Sequence, residues 1–139
     1  MKESVKSLLK EFSLERGASI GALTCLKNIP RIQLPNDYYT FLQEANGGEG
    51  FIGQEYLILW KAEELELFNQ DYEVEKYAPE IFLFGSNGSG EGFGFDTRSI
   101  PYQVVQVPFI GMNLQSATHV ANDFYGLLER MSRSDGSLL

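Results

Sequence analysis

FGSNGSGEGFGFD, residues 84–96, holds five glycines in thirteen positions, and the fold turns on what those glycines are for. A nucleotide fingerprint, G-x-G-x-x-G, needs its third glycine where a helix meets the strand. Counted from Gly88 and Gly90 that place holds Phe93; counted from Gly90 and Gly92 it holds Phe95. A phosphate-cradling loop of the G-x-x-x-x-G-K-S/T type fits Gly85 and Gly90 in spacing, but Glu91 and Gly92 follow. A carboxylate there repels the phosphate that the loop would hold. The glycines therefore serve a turn. Asn87-Gly88 stands between two aromatic-rich runs, and both residues accept positive φ, which predicts a β-hairpin. In its second strand Gly92 and Gly94 alternate with Phe93 and Phe95, leaving one face without side chains. Another element or a partner can approach the backbone closely there.

Working outward, Ile81–Phe84 reads as a buried strand, as does Tyr56–Trp60, and Val104, Val105 and Val107 form another, stopped by Pro108. KAEELELFNQ between two of them has helical propensity through about Asn69, with Leu65 and Phe68 facing inward. Pro79 ends whatever precedes it. In LPNDYYTFLQEANGG, residues 34–48, Pro35 suits a helix start and Asn36 and Asp37 put polar and acidic groups where the helix dipole favours them. Tyr38, Phe41, Leu42 and Ala45 make one apolar face, and Asn46-Gly47-Gly48 stops the helix. Val5, Leu8, Leu9 and Phe12 predict an opening amphipathic helix ended by Gly17, and Ile20–Leu26 is apolar without a clear period. Val120, Phe124, Leu127, Leu128 and Met131 predict a last helix from about Ser116 to Met131, followed by a frayed polar tail over 132–139. No repeat or linker divides the chain, so residues 1–139 are expected to form a single α+β domain, helices packed against a mostly antiparallel sheet.

The formal net charge of −8 argues against nucleic acid as a partner, because phosphate binding needs clustered Lys and Arg. From Glu44 to Asp96 twelve carboxylates face only Lys61 and Lys76, a surface suited to a basic protein. No apolar run is long enough for a membrane span, and the N-terminal stretch lacks the uninterrupted apolar centre of a signal peptide. Cys25 is alone, so no internal disulfide forms, and a cytoplasmic location with Cys25 packed inside is expected.

Chemistry has few candidates. His119 is the single histidine; one helical turn before Asp123 it reads as a surface contact, and it has no second histidine for a zinc site. Asn69, Asp71, Glu73, Glu75 and Glu80 echo a calcium loop, but Val74 stands where the turn needs glycine. Glu91 and Asp96 would have to converge to work as an acid–base pair. No serine lies in a nucleophile elbow. The expectation is a protein without catalytic activity, metal or cofactor.

The ordered set resembles the SUKH superfamily, in particular its Smi/Knr-like branch. The match falls on Leu34, Pro35, Tyr38, Phe41, Leu42, Asn46, Gly47 and Gly48, then on YLILWKAEELELFN, IFLFGSNGSGEGFGFD and SATHVANDFYGLLERM, so that it covers residues 34–131. Where the family often turns through a glycine before its Val-rich strand, this chain has Ser99-Ile100-Pro101-Tyr102. The resemblance implies a compact α+β binding domain without enzymatic activity. Bacterial relatives are immunity proteins that neutralise polymorphic toxins, many of them nucleases; fungal relatives act in cell-wall and signalling regulation. The expected partner is a cognate basic toxin domain, with no nucleic acid and no membrane, and the oligomeric state is left open. Expected contacts are Glu49, Glu55, Trp60, Asn87, Glu91 and Asp96, with Tyr56 as a second aromatic anchor. The alternatives are a regulatory scaffold that binds a host protein or peptide, and a small enzyme using Glu91 and Asp96.

Overall fold

A computed structural model describes residues 2–133; from residue 134 on, the tail expected to fray lies outside them. Among the described residues seven strands form one antiparallel sheet in chain order: β1 (Phe12–Arg16), β2 (Ala45–Ile52), β3 (Glu55–Leu59), β4 (Ile81–Ser86), β5 (Glu91–Asp96), β6 (Gln103–Pro108) and β7 (Thr118–Ala121). Helices α1 (Glu3–Leu8), α2 (Ile20–Lys27), α3 (Asn36–Glu44), α4 (Ala62–Asp71), α5 (Val74–Tyr77) and α6 (Phe124–Ser132), with a short 3-10 turn at Leu114–Ser116, complete the described chain. The α+β reading and the hairpin between β4 and β5 are both present. Glu91 pairs Pro108 and Asp96 pairs Gln103 with no shift between, so the Ser99–Tyr102 connection leaves that register intact.

One face of the sheet carries an aromatic core. Tyr38 and Phe41 of α3, Phe84 of β4, Phe95 of β5 and Phe124 of α6 meet with ring centroids 4.8 to 5.6 Å apart. Each is almost wholly buried, and side chains of this size dominate the hydrophobic stabilisation of a small domain. Phe84 faces this core by alternation, two residues after Phe82, which lies opposite Phe95, and the pairing to β5 skips one residue between Leu83 and Gly85.

Leu83 consequently points to the opposite face, where the bare strand lies. A Cβ on Gly92 would come 2.9 Å from the Phe109 ring and 3.2 Å from Leu83 Cδ1, and one on Gly94 would come 2.6 Å from Phe82 O. The glycine face is therefore filled by the chain itself. Tyr72 stacks on Phe109 at 4.2 Å and 9°, and Trp60 packs on Tyr72 and, edge-on, on Phe68. This second, smaller core seats α4 beside β4.

Five local expectations are corrected. The first helix ends at Leu8, and residues 12–16 form strand β1, drawn in because Gly48 and Gly50 of β2 lack side chains: a Cβ on Gly48 would lie 2.4 Å from Ser13 O. Ala45, expected on the apolar face of α3, is instead the first residue of β2: the helix ends at Glu44, and Asn46-Gly47-Gly48, expected to stop it, continue the strand. The last helix starts only at Phe124, because Thr118–Ala121 pairs with β6 and Asp123 Oδ1 accepts from Gly126 N at 2.7 Å, capping the helix there. His119 accordingly sits on an edge strand 3.0 Å from Gln103 Oε1 and Asn122 Oδ1, not on a helix facing Asp123. Cys25, expected inside, is exposed on α2.

Candidate functional site

The open part of the sheet is the outer face of β1–β3. Alternation along β2 and β3 sends Glu49, Phe51, Tyr56 and Ile58 outward, while Leu57, Leu59 and Ile52 are buried on the other side. Glu49 lies opposite Ile58 and Phe51 opposite Tyr56. Phe51, 51% exposed, meets the Tyr56 ring edge-on at 4.9 Å, and Tyr56 Oη donates to the Glu49 carboxylate. That bond raises the phenol pKa, since ionising it would set a second charge beside Glu49.

The far wall is the start of α4. Asn46 places it: Oδ1 accepts from Ala62 N at 2.7 Å and Nδ2 donates to Glu63 Oε1 at 2.8 Å. The Asn46 amide holds the Glu63 carboxyl below the usual carboxylate range. Glu64 folds back to accept from Lys61 N at 2.9 Å. An open groove of about 410 Å³ results, lined chiefly by Glu15, Glu49, Ile58, Trp60, Glu64 and Phe68. Lys61 leans over it, its Nζ 3.5 Å from Glu15 on β1.

Of the six expected contacts, the structure brings Glu49 and Trp60 to this groove. The hairpin tip adjoins it: a Cβ on Gly88 would lie 3.4 Å from Ile58 Cδ1. Asn87 is buried and organises that tip, its Oδ1 accepting from Ser89 N and Glu91 N. Trp60 and Glu55 are buried as well. Glu91 and Asp96 occupy opposite ends of β5, about 17 Å apart at strand rise and on alternate faces, so they do not converge. Asp96 is held by Arg98, with Nη2 at 2.8 Å and Nε at 2.9 Å, and that fork keeps its carboxyl below the ordinary range. Among the described residues no three His, Cys, Asp or Glu side chains come together as a metal site. Asn69 of the calcium-like run is consumed in bonds to Leu65 and Leu83. Glu15, Phe51 and Glu64 escaped the sequence reading. A period-two reading carried backward through GEGFIGQEYLIL marks Phe51 and Glu49 as facing Tyr56 and Ile58, whereas nothing local places Glu15 or Glu64 beside them.

A second groove lies at the start of α3, between Pro35–Asp37 and Pro101–Gln103 with Asn122 and Asp123. Asp37 Oδ1 is buried without a hydrogen-bond partner. Burial first, and then the Asp123 charge, raise its pKa despite two backbone hydrogen bonds. The dipole advantage expected at this position is thus outweighed by desolvation. Because the folded state binds the Asp37 proton more tightly than the unfolded chain, this group's contribution to stability falls as pH rises from the ordinary aspartate value through the raised one. Asp37→Asn should therefore raise the Tm at pH 7 by about 2 °C, with the gain vanishing near pH 3. Calorimetry at the two pH values checks it.

An antiparallel sheet backed by helices, with an open groove between the outer face of β1–β3 and the start of α4, defines a small α+β domain. The family comparison agrees: residues 17–130, most of the chain, match the model of the SMI1 / KNR4 family (SUKH-1), and the protein belongs to that family. Membership supports a protein-binding domain without catalytic activity. No curated protein matches the chain in sequence.

Proposed function

We propose that this chain is a cytoplasmic immunity protein that binds a cognate basic toxin domain, a nuclease by class, and blocks it without catalysis. The observation that carries the reading is the charge of residues 44–96, where twelve carboxylates face two lysines across the segment that builds β2, β3, α4 and the hairpin. A nuclease must be basic to hold its substrate, and an acidic surface both steers toward such a protein and competes for its substrate groove. Glu49, Glu55, Trp60, Asn87, Glu91 and Asp96 are the proposed contact region. Glu49 and Glu91 meet the partner directly, Glu55, Trp60 and Asn87 shape the surface from beneath, and Asp96 with Arg98 marks its far end.

Capture of the tagged protein from its source cells, followed by a salt wash, tests this. A basic toxin fragment recovered in stoichiometric amount and released by salt is the expected result. A non-toxic cellular partner instead would replace this reading with that of a regulatory scaffold. With the toxin domain in hand, Glu49→Lys/Glu91→Lys should slow association about tenfold at low salt and flatten its salt dependence. An unchanged association rate would remove this surface from the interface.

A further inference from the structure

Lys61 already shows what the groove accepts. Its stem rises from the α4 N-cap, and its ammonium crosses to Glu15 on another element, 3.5 Å away, over a floor of Ile58 and Trp60. The pair is half exposed on both sides, at 47% and 49%, and such pairs contribute little to stability, on the order of 0–1 kcal/mol. An incoming cation therefore displaces it readily. Glu49 stands on the same groove with Tyr56 as its hydrogen-bond donor, and the Phe51–Tyr56 rings offer a shelf along which an aliphatic stem can lie and a cation can meet ring faces.

We propose that this groove binds a lysine- or arginine-bearing segment of the partner, whose cation takes the place of Lys61 at Glu15, on the groove that Glu49 also lines, while its stem packs on Phe51 and Ile58. The occupant follows from complementarity: Glu15, Glu49 and Glu64 leave the rim acidic once Lys61 is displaced, and the floor is apolar. The inference rests on the protein-binding reading above and names the site and chemistry of its contact. It also gives Lys61 a role, that of an internal competitor which sets the threshold for binding.

The test uses the full chain labelled with ¹⁵N and a Gly-Lys-Gly-Lys-Gly peptide, with the glutamate version as control. Amide shifts should saturate at Glu15, Glu49, Ile58 and the Trp60 indole for the lysine peptide only. Glu49→Gln should weaken the peptide about threefold to tenfold, and Phe51→Ser about threefold. The decisive variant is Lys61→Gln. Removing the competitor should tighten the peptide about threefold, whereas Lys76→Gln, which deletes an equal charge paired with Glu73 on α5, should leave it unchanged. Equal tightening by both would show attraction to a diffuse acidic surface and overturn the site, as would shifts confined to α4 and α5. If the captured toxin domain binds Glu49→Gln/Phe51→Ser as tightly as the parent, this contact is wrong and the immunity role stands. If the peptide maps to the groove but the captured partner is no toxin, the immunity role fails and the groove survives.

Discussion

Gly47→Ala is expected to destabilise the fold by about 4 kcal/mol, a large part of the stability of a chain this size. Two effects add. Gly47 has φ +80°, where an L side chain is strained by about 1–3 kcal/mol. Its Cβ would also lie 2.5 Å from Leu59 O and 2.9 Å from Trp60 O, both backbone atoms that cannot swing away. Those carbonyls belong to the strand end that delivers Trp60 and α4, so relieving the contact would displace the wall of the groove. Gly111→Ala separates the two effects: φ is +74° and nothing lies within 4 Å of the new methyl, so only about 1 kcal/mol is expected. Urea unfolding of both variants reads the difference. Equal losses would mean that strain alone governs Gly47 and that the approach to β3 is soft.

Asn69→Asp is the second large effect, about 3–4 kcal/mol at pH 7. β3 pairs with β4 only at Ile58 and Leu59, leaving Leu83 without a strand neighbour on that side. Asn69 of α4 takes over: Oδ1 accepts from Leu83 N at 2.8 Å, and Nδ2 donates to Leu83 O at 2.9 Å and to Leu65 O at 2.7 Å. One side-chain amide thus stands in for a strand, where buried backbone groups need partners. A carboxylate keeps the acceptor but turns two donations into repulsion against carbonyl oxygens. The folded state then favours the protonated acid, which can donate to one of them. Its folded pKa lies above the unfolded one, so the deficit against the parent should shrink as pH falls through that raised value. Asn69→Ala should lose about 2 kcal/mol with no such recovery. A deficit for Asn69→Asp that stays constant with pH would show that the amide donations carry little.

Both variants act on the junction of β3, α4 and β4, the place that also positions the proposed contact groove. Asn46 holds the start of α4, Asn69 holds its end against β4, and Trp60 with Tyr72 and Phe109 fills the space between. The groove wall is tied to the sheet by these contacts, while Phe51 and Glu49 opposite it are exposed. Partial loss of the α4 contacts should therefore weaken partner binding before the aromatic core of α3 and α6 unfolds.

Period and turn chemistry, which are local properties, made α3, α4, β3, β4, β5 and β6 legible in the sequence. Asn87-Gly88 wrote the hairpin, Pro35 the start of α3, and alternating Phe93 and Phe95 the inward face of β5. The same residues excluded phosphate chemistry, because Glu91, Phe93 and Phe95 stand where lysine and glycine would have to be. What only the tertiary structure decided involves residues whose partners are distant in the chain. Phe12–Arg16 and Thr118–Ala121 lie on or beside apolar spacing that suits a helix equally well, and edge pairing with β2 and β6 made them strands. The glycine face was open in sequence and closed in space, since Leu83, opposite Gly94 on the neighbouring strand, and Phe109, just beyond β6, converge on it. The groove joins Glu15, Glu49 and Lys61 across three elements. Side-chain alternation fixes the face each residue occupies, but only strand pairing brings those faces together.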